Sequence, residues 1–322
     1  MAANPSTTLT HDDRMLECYR IVDKELEIRH RGEFTPRDIW EMARMTVSAQ
    51  FLPHYFSYVP GWRRALRRLG GDRIMPDFAC IGAIKSGTSE LATYLMQHPN
   101  MIVPLSKEPN RENPGDWRIF YPTRKEVAEL EAVRGPMRAG YFEPRLHQVA
   151  VLDGFHAQRP DGKVIIMLRD PVRRAYSHFK WDFLATGRKS HLSGYMTSYR
   201  DYVRRALDVF PAHGFPTSIV GLPPLEAGIY APSVRLWIER FGAENIHFIG
   251  AEEFFADIPG TLNSIFRFLG LPEHEPAIRQ PVNTNNIDAP PEDPEARELL
   301  RDFYQPYNKE LFAILGRELD WI

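Results

Sequence analysis

A three-layer α/β fold, with a central and mostly parallel sheet flanked by helices, is what this sequence predicts. Short apolar runs at 78–81 ("FACI"), 163–171 ("KVIIMLRDP") and 245–250 ("NIHFIG") each lead into a helical pattern. "FACI" and the "VIIML" of the second run are continuously apolar rather than alternating, which suits strands buried on both faces, as parallel strands are. Hydrophobic residues make up 43% of the 322 and charged residues 25%, so an ordinary core can form and wholesale disorder is excluded. Strands that alternate with helices put ligands at the strands' C-terminal ends.

Taken in order, residues 1–75 read as an N-terminal helical extension that opens with a polar tail (1–14), and residues 76–322 as the main domain. Between Trp62 and Leu69, apolar positions are interleaved with Arg63, Arg64, Arg67 and Arg68. The expectation is a short helix packed on its own domain with solvated arginines, in preference to a membrane-surface helix or a lid. The strand at 78–81 meets a Gly/Ser/Thr turn, then a helix with Leu91, Tyr94 and Leu95 on one face. "NMIVPL" (100–105) reads as a short strand and "SKEPNREN" as a polar loop. After the buried strand at 163–171 come a helix from Val172 through Phe183 and a surface excursion over 184–227, rich in Gly, Pro, Ser and aromatics. A helix (229–241), the strand at 245–250, a helix (259–269), a loop and a C-terminal helix complete the chain.

Forty basic against 42 acidic side chains give a formal charge of −2, so no global basic field supports nucleic-acid binding and any anion site is local. Two cysteines, Cys18 and Cys80, make neither a disulfide framework nor a metal cluster. The first residues lack a basic stretch followed by an apolar one, and no apolar run approaches the roughly 18 residues a bilayer requires. The expectation is a soluble, cytoplasmic protein without a transmembrane segment; a homo-oligomer is compatible with the sequence.

Two motifs carry the chemistry. "IGAIKSGTSEL" (81–91) joins a strand to a helix N-terminus, where unpaired backbone N–H groups and the helix dipole face an anion. Nucleotide kinases and GTPases place glycine before the lysine of such a loop; here Lys85 precedes Gly87. The second, "LRDPVRRAYSHF", puts Arg169 at a strand tip and Ser177 eight residues on, in the next helix. An arginine fork with a hydroxyl suits a phosphate monoester. Two phosphate sites on adjacent strands fit a nucleotide phosphorylated at both ends of its ribose.

With these motifs the sequence resembles the sulfotransferases that use 3'-phosphoadenosine 5'-phosphosulfate (PAPS). "GIYAPSVRLWIERFGAENIHFIGAEEF", "IFRFLGLP" and "FYQPYNKELFAILGRELDW" extend the resemblance over residues 76–322, nearest to the heparan-type and bacterial carbohydrate enzymes. It implies a P-loop-like fold, PAPS as donor with adenosine 3',5'-bisphosphate as product, no metal requirement, and a carbohydrate or small-molecule acceptor. Lys85 is then the stabiliser of the departing oxygen. Ser86, Gly87, Thr88 and Ser89 cradle the 5'-phosphate, and Arg169 and Ser177 grip the 3'-phosphate. In "LSKEPNREN" the resemblance makes Glu108 the candidate base beside Lys107; a glutamate near a lysine is biased toward its charged, proton-accepting form.

Two departures stand out. Aromatics usual after that pair in the family are replaced by "PNREN", and the basic glycine-containing C-terminal loop is reduced to "RQPVNTNNIDAP". Arg279 and Asn283 are the candidates left there for the 3'-phosphate and adenine pocket. Arg138 and His147 stand as acceptor-side candidates where the family has a lysine; His98 and His178 are rival bases expected to be structural. Arg188, Lys189, Arg200, Arg204 and Arg205 in the excursion suit either an anionic glycan or a solvated helix face. The alternatives to transfer are a P-loop nucleotide kinase and a non-catalytic relative that binds nucleotide or sulfated glycan.

Overall fold

The computed structural model describes residues 61–105, 108, 114–147, 149–186, 198–210, 224–277 and 289–321. In chain order these form α1 (Gly61–Leu69), β1 (Phe78–Ile81), α2 (Thr88–Leu95), β2 (Met101–Ile102), a 3-10 turn (Pro114–Phe120), α3 (Arg124–Arg134), β3 (Arg138–Glu143), α4 (Val149–Gln158) and β4 (Lys163–Leu168). They continue with α5 (Pro171–Thr186), α6 (Tyr199–Asp208), a 3-10 turn (Glu226–Gly228), α7 (Ala231–Phe241), another (Ala243–Asn245), β5 (Ile246–Gly250), α8 (Ala251–Ala256), α9 (Ile258–Leu269) and α10 (Pro294–Leu315).

The chain divides into two compact units. One, drawn from 32–170, 236–286 and 318–322, holds a five-stranded sheet of order β2-β3-β1-β4-β5, parallel throughout. Successive side chains on each strand point to opposite faces. On one face Phe78 and Cys80 of β1, Phe142 of β3, Ile165 and Met167 of β4 and Ile249 of β5 join Leu91, Tyr94 and Leu95 of α2 and Leu262, Ile265 and Phe266 of α9 in a single core. On the other, Tyr141 of β3 stacks on Trp117 (ring centroids 4.2 Å apart) and on Phe155 of α4 (6.3 Å), which meets Phe241 of α7 at 5.6 Å. Helices on both faces make the expected three layers.

Strand β3 was not foreseen, and it is an inner strand, between β1 and β2. A Cβ at its Gly140 would lie 2.5 Å from the Phe78 ring, so the strand holds a glycine where the neighbouring strand holds a phenylalanine. That glycine breaks the apolar run by which strands are recognised. Helices α3 and α4 were also unforeseen, and the run expected as a strand over 100–105 pairs only through Met101 and Ile102.

The second unit, drawn from 1–31, 171–235 and 287–317, is helical in its described part. Part of the expected surface excursion is the amphipathic helix α6, which buries Tyr199, Tyr202, Val203 and Ala206. Phe179 of α5 packs against Tyr199 and Tyr202 at 5.1 and 4.9 Å. Both Arg200 Nε and Nη2 donate to Asp293 (3.1 and 2.8 Å), the N-cap of α10, and Arg204 pairs with Glu295 in the first turn of that helix. Two arginines considered for a glycan are thus engaged in holding α6 to α10; Arg205 is exposed, and Arg188 and Lys189 lie outside the described residues.

Candidate active site

Sheet order puts β1 between β3 and β4, so the chain leaves β1 in one direction for β2 and later crosses to the other side for β4. A crevice outside the strand C-termini opens at such a reversal. The loop 82–87 begins there. It is tied to both neighbours: Gly82 N–H donates to Glu143 O of β3 (2.8 Å), Met167 N–H of β4 donates to Gly82 O (3.2 Å), and Ala83 N–H donates to Met167 O.

Left-handed backbone shapes the turn. Lys85 has φ +67°, and Gly87, the N-cap of α2, has φ +97° and ψ 16°. A Cβ at Gly87 would sit 2.9 Å from Phe255 Cζ, so a side chain is unwelcome on both counts. Gly87 has no side chain with which to cap α2, so the first N–H groups of the helix receive no bond from their N-cap residue. Ser86 is fully buried and its hydroxyl has no hydrogen-bond partner among the described residues. An orphaned buried hydroxyl beside an uncapped helix start is what a site built for an oxyanion would show.

Arg169 follows β4, and its Nη1 donates to Lys85 O at 2.8 Å. One of its five donors therefore fixes the loop at the residue with the least comfortable backbone. Glu252, in the first turn of α8, accepts from Asp170 N–H at 3.4 Å. Burial pushes its carboxyl above the usual range, although the Arg169 charge pulls the other way.

The sequence reading did not anticipate a buried ion pair at the end of β3. Arg145 Nε and Nη2 donate to Glu143 Oε1 and Oε2 at 2.8 and 3.1 Å, with the side chains 5% and 0% exposed. Glu143 also accepts from Tyr141 Oη at 3.4 Å, and its own carbonyl holds Gly82. The i,i+2 Glu and Arg in "FEPR" were the only hint in the sequence. Phe255, half exposed against Gly87, is a second unanticipated neighbour of the loop.

The domain model of the sulfotransferases matches residues 76–290. The chain belongs to the sulfotransferase domain family. Among curated sulfotransferases it is 24% identical to mouse carbohydrate sulfotransferase 15, over 76% of this chain and 54% of that protein. It is 23% identical to human heparan sulfate glucosamine 3-O-sulfotransferase 3B1, over 78% and 66%. The chain thus spans about half to two thirds of the length of these relatives. A crystal structure of a sulfotransferase from Alicyclobacillus acidocaldarius superposes with a TM-score of 0.54 at 25% identity, covering 76% of this chain and 98% of that one.

Within this sulfotransferase domain Lys85, Ser86, Gly87, Thr88, Ser89 and Arg169 come together around the loop. Glu108 is half-buried, beyond the C-terminal end of β2. His147 is buried in the turn after β3. Ser177 is a half-buried residue of α5, in the helical unit. Lys107, Arg279 and Asn283 lie outside the described residues. Arg138 is not brought to the site: it opens β3 at the N-terminal ends of the strands, opposite the loop, where its Nε donates to Leu269 O and its Nη1 to Met137 O, both at 3.0 Å. His98, beyond the C-terminus of α2, is also remote from the loop. Its Nδ1 accepts from Asn100 N–H and its Nε2 faces Pro272 O, each at 3.0 Å, and burial holds it below the ordinary histidine pKa. His178 is buried on α5 against Arg174 (3.0 Å). Among the described residues no group of three or more His, Cys, Asp and Glu is placed to hold a metal ion, and no helix is long and apolar enough to cross a membrane.

Proposed function

We propose that the protein transfers a sulfuryl group from PAPS to a carbohydrate hydroxyl. The observation that carries this reading is the loop itself: a left-handed Lys85, a buried unpartnered Ser86 hydroxyl and an uncapped α2 converge at the sheet's topological reversal. That donor set suits a phosphate ester with charge at its end. The names of the relatives support a sugar acceptor and oxygen as the accepting atom.

The bound donor would supply an activated SO3 unit on a phosphate oxygen. Backbone N–H groups at Gly87, Thr88 and Ser89, with the Ser86 and Thr88 hydroxyls, hold the 5'-phosphate. Lys85 meets the charge that grows on the bridging oxygen, a role worth roughly 10²–10³ in rate for one such donor. The Arg169-to-Ser177 spacing in the sequence supports a grip on the 3'-phosphate, and through Lys85 O the same arginine steadies the lysine. Glu108 takes the acceptor's proton, typically worth ~10²–10⁴.

Calorimetry with adenosine 3',5'-bisphosphate, against ATP with magnesium, tests the donor class. Tight bisphosphate binding that weakens in Arg169→Ala is expected, with transfer of label from PAPS to a desulfated glycan lost in Lys85→Ala and Glu108→Gln. Glu108→Gln should bind the bisphosphate as the wild type does. Preference for ATP would overturn the reading in favour of a nucleotide kinase.

A further inference from the structure

Helix α1 wears its polarity inside out. Trp62, Leu66 and Leu69 are 59%, 60% and 85% exposed. Their spacing of four and then three puts them on one face. Arginines make the contacts with the sheet unit instead: Arg67 Nη2 donates to Tyr121 O at 2.5 Å and its Nε to Ile119 O. Arg73 reinforces the joint, with Nη1 on the same Tyr121 O at 2.8 Å and Nε on Arg67 O at 3.0 Å. This reverses the expectation of a helix packed through its apolar residues. An outward stripe of three large apolar residues calls for a partner.

The surrounding charge says what kind. Residues 61–71 contain four arginines and no acidic residue. Asp72, next in line, is bonded by Arg124 at 2.7 Å and lies 3.8 Å from Arg118. Arg68 is exposed and Arg64 half-buried. We propose that α1 docks the protein on an anionic lipid surface, with Trp62, Leu66 and Leu69 entering the headgroup boundary and the exposed Arg68, at the flank of that stripe, meeting lipid phosphates. Tryptophan favours that boundary, and arginine stems can lie along apolar surface while their heads stay with the phosphates. The stripe spans ~10 Å of helix and comprises three side chains, far fewer than the roughly 20–30 residues a side of a stable dimer interface, whereas an in-plane helix needs to bury only its own apolar side. Upstream, "SAQFLPHYFSYVP" (48–60) continues the composition, aromatic and without an acidic residue. The surface is independent of the proposed transfer reaction.

The test is flotation of the full chain with vesicles of phosphatidylcholine, with and without phosphatidylserine. Binding should require phosphatidylserine and fall as salt rises. Arg68→Gln should weaken it by roughly fivefold. Trp62→Ser/Leu66→Gln/Leu69→Gln should abolish it while leaving the circular dichroism and bisphosphate binding of the chain unchanged. Brominated lipid should quench wild-type emission more than that of Trp62→Phe. Absence of binding, or equal binding by the triple variant, overturns the proposal. So does a dimer in sedimentation that the triple variant dissolves without any vesicle binding, since the stripe would then join two copies of the chain.

Discussion

Replacing Gly87 by alanine probes the loop at its tightest point. Two penalties are in play and the structure separates them. The backbone one follows from φ +97°, well to the right of the narrow left-handed well that an L-residue tolerates, and is about 1–3 kcal/mol. The steric one comes from Phe255, whose Cζ and Cε2 would lie 2.9 and 3.1 Å from the new methyl; Met167 Cε at 3.5 Å is ordinary contact. Phe255 is half exposed and meets the site with the far end of its ring, so it can turn aside. Backbone strain should therefore dominate, reduced by the ~0.4–1 kcal/mol that Gly→Ala gains by restricting the unfolded chain. The expected net loss is about 1–2 kcal/mol, read as a lower urea midpoint at unchanged slope. Because the first N–H groups of α2 are re-aimed, bisphosphate affinity should fall by roughly tenfold or more. Repeating the substitution on a Phe255→Ala background completes a double-mutant cycle, with a coupling below about 0.5 kcal/mol expected. A neutral Gly87→Ala, or recovery of most of the loss when Phe255 is absent, would refute the strain argument.

Glu143→Gln should destabilise the protein by about 3–5 kcal/mol, because it leaves the buried Arg145 guanidinium without its counter-charge; urea denaturation reads this directly. Arg138→Ala should cost about 1–2 kcal/mol of stability through the bonds to Leu269 O and Met137 O, with the acceptor KM unchanged in the transfer assay. His98 gives a pH signature. Its folded pKa lies below the ordinary 6.5, chiefly through burial, so the unfolded chain takes up the proton first. The stability from neutral His98 is present above pH 6.5 and is lost as pH falls below it toward the folded value. Urea midpoints in that window should drop less for His98→Asn than for the wild type.

What the sequence made legible was whatever rests on uninterrupted apolar runs and on a local motif. β1 and β4 are buried runs of that kind, and the loop 82–87 is contiguous, so a turn between strand and helix was legible from its glycines and hydroxyl residues. β3 was hidden because Gly140 yields its side-chain volume to Phe78, a long-range packing fact that no local pattern carries. The orientation of α1 was missed for a similar reason. Apolar and basic positions both recur at helical spacing there, and only the carbonyls of Ile119 and Tyr121, some fifty residues on, decide which face turns inward. Arg138 looked close to a functional register in sequence, yet a residue at the start of a parallel strand sits a full strand length from those at its end. Likewise Arg200 and Arg204 carry the charge a glycan would want, but their partners Asp293 and Glu295 are far along the chain.

The fastening of the loop to two strands at once has a consequence for how this protein can change over generations. Gly82 is held by the carbonyl of Glu143 on one side and by Met167 on the other, and Lys85 by Arg169 beyond the same strand. The turn is therefore a suspended span rather than a flap, and its shape is set by its moorings as much as by its own residues. A drift of β3 against β4 by a fraction of an ångström would retune the distance between Lys85 and any bound phosphate with no change in the motif itself. Sequences that keep "KSGTS" intact could thus diverge in rate through residues such as Glu143, Arg145 and Met167, none of which a motif search would inspect.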